Sequence, residues 1–462
     1  MSRATLDGDQ TTRSLPLARS LAYPGPDTAL YSSLAAPSLS DRRWLSRAGG
    51  RVAGNDTVSV ATYNMLAHCY ATPGYFTQTD AEVLDWHRRK KAILDVLDGL
   101  DADVLCLQEV DHFESFLLPE LRKRGYAGRF KKRNGPRKRD GCATFWREDK
   151  FRLVSEQAIE LDHAARASLA GPGYDTHNVA LILVLAPRAT DGSAPPPENH
   201  TVHPIIAHAL AGPDASFSGN TDGNGGTRGL ICVANAHLFW DPAYAGVKLL
   251  QARAVAKRIS HLEKRHGQMY TVFCGDLNSL PGTRVYEYLT REEGFTSAYS
   301  CIQQLAALQT AKDSGQRAPA AHVYGMDVRD TSSGKYEPEF SNFRDNFSGT
   351  LDYILLRGLP AQAVKRLKNV SLRDHRMWSP GQRSFADMCK SKGSNGGQGP
   401  HLGEPAAAKD SHGGGNMSRV HGLCVEGIMA MPSAESLGPR GLPNQDHPSD
   451  HLPLACRLSV SW

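Results

Sequence analysis

The tightest constraint on this chain is a recurring event: an apolar, β-branched run stops abruptly on an acid, an amide or an imidazole. In Tyr270–Pro281 (YTVFCGDLNSLP), Thr271, Val272, Phe273 and Cys274 read as a buried strand, and Gly275 as a turn that delivers Asp276 and Asn278 at its C-terminal end. A carboxylate and a carboxamide two residues apart in extended backbone project the same way, so both can face one divalent metal or a phosphate oxygen. The plainer account is a strand followed by an Asx turn, and one GDLN segment alone does not separate the two.

Repetition does. Thr57–Thr62 (TVSVAT) leads to Asn64, Asp103–Val110 (DVLCLQEV) ends on Gln108 and Glu109, and Gly229–Ala236 runs into His237. Thr350–Leu356 (TLDYILL) carries Asp352 in its middle, and Asp450 and His451 precede the last strand within His447–Leu458. Further strands are expected over Cys142–Trp146, Phe151–Leu161 and Asn178–Ala186. Helical spacing marks Ala81–Leu100, Phe113–Gly125, Tyr244–His266 and a short helix near Thr283–Glu292.

Alternating strands and helices imply one α/β domain over residues 56–462, preceded by a disordered leader at 1–55. Stretches rich in Gly, Pro and Ser at 187–228 and 374–441 read as low-complexity insertions, and 305–340 is weakly patterned. The run Arg88-Arg89-Lys90-Lys91 reads as a solvated helix face. Arg122–Arg139 holds ten Lys or Arg and no acidic residue, which suits either a phosphate-binding rim or a solvated hairpin.

With 462 residues, 40% of them hydrophobic, the chain can bury a large core, and a formal charge of +5 permits a polyanionic partner without requiring one. Nine cysteines without a CxxC pair, several inside apolar runs, point to a reducing compartment rather than a disulfide framework. No apolar run is long enough to span a membrane. Residues 1–40 mix Arg3, Arg13 and Arg19 with Asp7, Asp9 and Asp27, as a cytosolic tail does; a mitochondrial transit peptide is the alternative, and a cytoplasmic or nuclear location the expectation.

Asn64, Glu109, His237, Asp276, Asn278, Asp352, Asp450 and His451 all fall at strand ends, where sheet proteins place ligands. That set suits attack of water on a phosphodiester. Glu109 can hold Mg²⁺, which prefers oxygen ligands and leans on few carboxylates, and the lack of a thiolate or HExxH pattern argues against zinc. Asp276 suits orienting or deprotonating the water, with Asn278 and Asn64 holding it and a phosphate oxygen without adding repulsive charge. His237 and His451 can donate to the non-bridging oxygens, with Asp352 on the far ring nitrogen of His451.

The segments TYNML, LQEV, DGCATFW, NAHLFWDP, CGDLNSLPGT, FSGTLDYI and PSDHLPL, in this order between about residues 57 and 458, resemble the endonuclease/exonuclease/phosphatase superfamily. Within it the chain is similar to the carbon-catabolite-repressor-type deadenylases, with Angel, nocturnin and the 2′-phosphodiesterases as relatives. The resemblance implies a four-layer α/β sandwich: two mixed β-sheets packed face to face with helices on the outside. It also implies Mg²⁺-dependent 3′→5′ hydrolysis of RNA, Mn²⁺ able to substitute, with poly(A) shortening to 5′-AMP.

The resemblance carries over Glu109 and Asp450 as metal residues, Asp276, Asn278, His451, His237, Asp352 and Asn64 as catalytic residues, and Pro242 and Phe347 as the pair that sandwiches an adenine. The implied partners are RNA with a poly(A) 3′ end and an mRNA-decay complex, not a membrane. Opening of 2′,3′-cyclic or 2′,5′-linked RNA, and nocturnin-type nucleotide phosphatase action, are the alternatives. Two features depart from the deadenylase pattern. No leucine-rich repeats precede Thr57, and Gly246 stands where an acidic residue is common.

Overall fold

Strands that are apolar on both faces must be covered on both faces, and that requirement sets the layers. The computed structural model describes residues 44–46, 56–163, 175–188, 229–267, 269–303, 334–358 and 423–460. Its strands are β1 (Trp44–Ser46), β2 (Asp56–Asn64), β3 (Val104–Gln108), β4 (Tyr126–Lys132), β5 (Gly141–Arg147), β6 (Phe151–Glu160), β7 (Val179–Pro187) and β8 (Leu230–His237). They continue with β9 (Met269–Asp276), β10 (Thr296–Ser297), β11 (Asn342–Phe343), β12 (Ser348–Gly349), β13 (Asp352–Arg357), β14 (Leu423–Met429) and β15 (Leu454–Val460).

Seven strands form one sheet in the order β1-β14-β15-β2-β3-β5-β4, and six form another in the order β10-β13-β9-β8-β7-β6. Both are mixed, since β2 pairs parallel with β3, and β8 with β9, while the other neighbours run antiparallel.

Side chains alternate between two destinations. Val58 and Val60, Leu181, Leu183 and Leu185, Ile231 and Val233, Val272 and Cys274 meet in the core between the sheets. Their neighbours face outward: Ala61 and Tyr63 pack on Ile93, Val96 and Leu97 of the helix Trp86–Leu100, and Ile182, Ala234 and Phe273 pack on Val255, Ala256 and Ile259 of the helix Ala245–His266. The result is the expected helix–sheet–sheet–helix sandwich. Cys69, Cys106, Cys142, Cys232, Cys274, Cys301 and Cys456 are free thiols, and all but Cys69 are buried.

Several expectations need correction. The insertion expected at 374–441 ends early, because Leu423, Val425 and Ile428 of β14 supply the inter-sheet core and pair with β15; the rest before residue 423, like 189–228, lies outside the described residues. Likewise β1 falls inside the expected leader and pairs with β14. The helix expected over Ala81–Leu100 breaks at Asp85, whose carboxylate accepts from His87 N (2.9 Å) and Arg88 N and so caps a new helix.

The basic run on that helix is not uniformly solvated. Arg89 is 1% exposed, on the same stripe as Ile93, Val96 and Leu100. Asp352 opens β13 rather than sitting mid-strand, because Ser341 Oγ takes the amides of Leu351 and Asp352, each at 2.9 Å. Gly275 is not a turn but part of β9. Its φ is +139°, and a Cβ there would lie 1.9 Å from the carbonyl oxygen of Ala236 on parallel β8, so only glycine lets the two strands approach.

Candidate active site

Strand register assembles the site. Asn64 lies opposite Gln108 in the β2–β3 pair; His237 lies opposite Asp276 in β8–β9, and Asp276 opposite Asp352 in β9–β13. Asn64, His237, Asp276 and Asp352 are thereby delivered to one edge of the sandwich. Behind them Gln108 and Asn235 bolt the two sheets together: Gln108 Nε2 donates to Asn235 Oδ1 (2.8 Å), and Asn235 Nδ2 donates to the carbonyls of Leu107 and Ala143 (3.1 and 2.8 Å). A polar bridge inside an apolar core resists sliding of the sheets, even though Gln108 Oε1 is left without a partner.

Asp276 is the centre. Its Oδ2 accepts from Asn64 Nδ2 (3.0 Å) and lies 3.6 Å from His237 Nε2 and 3.7 Å from His451 Nε2. Asn64 Nδ2 also donates to Glu109 Oε1 (3.1 Å), so a single amide spans both carboxylates. Asp276 Oδ1 accepts from Asn278 N at 2.9 Å. That is the Asx turn, and Asn278 has φ +46°, so the same-face geometry expected of an extended segment does not hold. Asn278 Nδ2 instead braces the exit of β8 through Leu238 O (3.0 Å), and buried Lys248 secures Asn278 O (2.7 Å).

His451 Nδ1 lies 2.7 Å from Asp352 Oδ2, which also accepts from Ser341 Oγ at 2.6 Å. Burial pushes the imidazole down, but the carboxylates of Asp352 and Asp276 outweigh it and hold His451 well above the usual histidine range, as an imidazolium. His237 behaves oppositely: burial and then the Arg133 charge push it down to about 3, so it is neutral. Two histidines near one carboxylate therefore carry different charges.

Glu109 follows β3 with φ +55°, a costly conformation for a side chain of its shape, and turns its carboxylate into the pocket. Ala67 N donates to its Oε2 at 3.0 Å. Burial, then the Asp140 and Asp450 charges, push Glu109 up to about 7. Asp276 also rises to about 7, by burial above all, against the His451 charge that pulls it down. Asp450 is positioned by Asn342 Nδ2 (3.2 Å), and Ser449 Oγ ties that loop to Asn64 O (2.7 Å).

Two sets of residues can be weighed as a cation site. Asp276, Asp352 and His451 offer ligand atoms within 4.8 Å of one another, but His451 Nδ1 already faces Asp352 at 2.7 Å, and the ring would have to give up a proton to ligate a metal. Glu109, close enough to Asp450 to feel its charge, offers hard oxygen donors, and burial first, then the Asp140 and Asp450 charges, raise the affinity of Glu109 for protons. Its chemistry fits Mg²⁺.

Residues that the sequence reading passed over complete the site. Arg89 donates to Pro448 O (2.8 Å), Met65 O (2.7 Å) and Leu66 O, linking the loop after Asn64 to the loop before Asp450. Its place on the apolar stripe of its helix was the signal. Ser341, Asn342 and Ser449 had none, lying in short polar segments. Of the two proposed base-contacting residues, Pro242 opens an exposed turn after β8, and Phe347, 37% exposed, tips the β11–β12 hairpin beside Leu280 and Gly349. Gly246 is exposed with open space around it, so its departure from the deadenylase pattern does not touch the pocket.

Among the described residues no helix is long and apolar enough to cross a membrane. The profile of the endonuclease/exonuclease/phosphatase family matches residues 61–379. The chain is 29% identical over 321 residues to carbon catabolite repressor protein 4 homolog 4 of Arabidopsis thaliana, covering 68% of this chain and 70% of that protein. It is 29% identical over 326 residues to CCR4-NOT transcription complex subunit 6-like-B of Xenopus laevis, covering 64% of this chain and 55% of that one. The matched part is therefore little more than half of the Xenopus protein.

Among solved structures, ANGEL2, described as a 2′,3′-cyclic phosphatase, superposes with a TM-score of 0.54 at 22% identity, covering 93% of this chain and all of that one. The human Nocturnin catalytic domain with bound sulfate gives 0.51 at 18% identity, covering 92% of this chain and 100% of that one, and both likenesses are likenesses of fold. With its sandwich, its register-built pocket and a profile match over most of its length, the chain belongs to the endonuclease/exonuclease/phosphatase family of hydrolases.

Proposed function

We propose that this protein is a Mg²⁺-dependent 3′→5′ exoribonuclease that shortens poly(A) ends and releases 5′-AMP. The observation that carries the reading is the convergence on Asp276 of Asn64, neutral His237 and the His451 imidazolium, with Glu109 held beside them by the same Asn64 amide. The relatives include subunits of the CCR4-NOT transcription complex, which supports RNA over other phosphodiesters, and an mRNA-decay complex as the setting.

In this mechanism Asp276, with its affinity for protons near neutral, accepts a proton from water as the water oxygen bonds to phosphorus. His451, charged and aimed by Asp352, donates to a non-bridging oxygen as negative charge gathers there, and Asn64 orients the water without adding charge. The bond from phosphorus to the 3′-oxygen of the preceding nucleotide breaks, and that oxygen takes a proton from solvent water as it leaves. Glu109 and Asp450 would hold Mg²⁺, which when bound would neutralise charge on the phosphate. Asn278 braces the loop through Leu238 O.

The test is a time course on 5′-labelled RNA ending in about twenty adenosines, beside the same RNA ending in a 2′,3′-cyclic phosphate, a length that spans several single-strand contacts. A ladder that shortens from the 3′ end and stalls at the first non-adenosine is expected. An intact tail with an opened cyclic end would move the substrate to the cyclic class and overturn the exonuclease reading.

A further inference from the structure

The basic stretch Arg122–Arg139 divides in two. In its first part five cations are answered, Arg122 not being among them: Lys123 pairs with Glu120 (2.6 Å), Arg124 with Asp98 (2.6 Å), Arg129 with Glu156 (3.0 Å), Lys131 with Glu160 (3.1 Å) and buried Arg133 with Asp140 (3.3 Å). At the tip of the β4–β5 hairpin the cations are not. Among the described residues, no ion pair holds Lys132, Arg137, Lys138 or Arg139, and all but Lys138 are exposed.

The tip is fixed, and fixed beside the catalytic pocket. Gly141 O at its base accepts from Val110 N (3.0 Å), the residue after Glu109. Asp140 accepts from Tyr70 Oη (3.0 Å), three residues beyond the Ala67 amide that holds Glu109, and Lys138 Nζ sits 5.9 Å from the centroid of the Tyr70 ring. On the other side Arg133 Nε donates to His177 O (3.2 Å), and a side chain at Gly135 would strike the His177 ring at 2.6 Å, so the loop is packed down. Four cations without an ion pair, on a clamped hairpin next to an acid-lined pocket, make a surface for a polyanion that must enter it.

We propose that the hairpin tip, through Lys132, Arg137, Lys138 and Arg139, docks the sugar-phosphate backbone of RNA on the 5′ side of the bond being cut. The inference rests on the exoribonuclease reading above. The tip reads phosphates and not bases, so it confers length and salt dependence but no adenine preference.

The experiment measures binding of fluorescent A20 and U20 RNA in EDTA, where cleavage is stopped, at several salt concentrations, for wild type and for Arg137→Ala combined with Arg139→Ala. Both residues are exposed, so the fold is unaffected. Loss of two phosphate contacts should flatten the slope of log affinity against log salt by roughly 1.4, at about 0.7 per single-strand contact, and weaken A20 and U20 alike. With Mg²⁺ restored, KM for the long RNA should rise while turnover of bis-p-nitrophenyl phosphate, too short to reach the tip, is unchanged. An unchanged slope would overturn the proposal, as would an equal loss on Lys123→Ala in the ion-paired half, which would trace the effect to net charge. If wild type binds with the steep slope yet cuts no RNA, the docking surface stands and the exoribonuclease reading fails.

Discussion

The two sides of the catalytic pocket are built of the same materials and brought to opposite electrostatic states. On one side Asp352, Ser341 and His451 form a closed set in which each charge has a partner within 2.7 Å. On the other, Glu109 feels Asp140 and Asp450, and burial with those charges lifts it to about 7. The closed side holds a proton in a fixed direction. The open side is short of positive charge, which a hard cation supplies. Asn64, donating to both Glu109 and Asp276, is the seam between them.

The largest break comes from either acid. Glu109→Ala or Asp276→Ala should lower RNA turnover by at least about 10²-fold with the fold retained, since loss of one preorganised electrostatic group costs that much; near-normal Mg²⁺-dependent rates in either variant would sink the assignment. Asp352→Asn leaves the shape of the closed side and removes its charge. We expect a loss on the order of 10²-fold together with an acid-ward move of the alkaline limb of the pH–rate profile, because His451 then releases its proton at lower pH. A lower rate with an unmoved limb would mean that Asp352 only positions the loop.

Arg89 lies beneath the seam, and its loss would leave the carbonyls of Pro448, Met65 and Leu66 without their donor. Arg89→Leu should cost about 3 kcal/mol in urea unfolding, given the penalty for unsatisfied buried acceptors. An unchanged midpoint would show that the two loops hold without it. Phe347→Ala should weaken RNA binding by roughly 1–3 kcal/mol if the ring stacks on a base, and an unchanged KM would count against that.

The same contrast explains what the sequence made legible. Residues placed by strand register, such as Asp276, His237 and Glu109, stand at the ends of apolar runs and can be read from them. The pairing of Asp352 with His451 is expected from sequence although Asp352 reads there as mid-strand; it opens β13 and so reaches the same edge. Ser341, Asn342 and Ser449 act through loop contacts across long sequence separations, which no local pattern records. Asn278 was misjudged because a left-handed turn, not extended backbone, follows Asp276. Arg89 shows the opposite error: its charge drew it to the surface in the reading, whereas its position on the Ile93–Leu100 stripe put it inside. The basic hairpin suits two accounts from sequence, and ion pairs separate its answered part from the tip proposed to bind phosphate.

The central claim is that the cation belongs to the Glu109 side, and the most direct measurement is the rise in Tm on adding Mg²⁺ to wild type, Glu109→Ala and Asp352→Asn. In the metal-free protein Glu109 and Asp276 bind protons more tightly than in the unfolded chain, whose ordinary values are 4.5 and 3.8, so their contribution to stability falls as pH rises through about 7. Mg²⁺ offsets that loss, and its stabilising shift should be larger at about pH 8 than at about pH 6. Wild type and Asp352→Asn should both show this pH-dependent shift, and Glu109→Ala should not. A shift that survives in Glu109→Ala and disappears in Asp352→Asn would place the ion among Asp276, Asp352 and His451 and contradict the account.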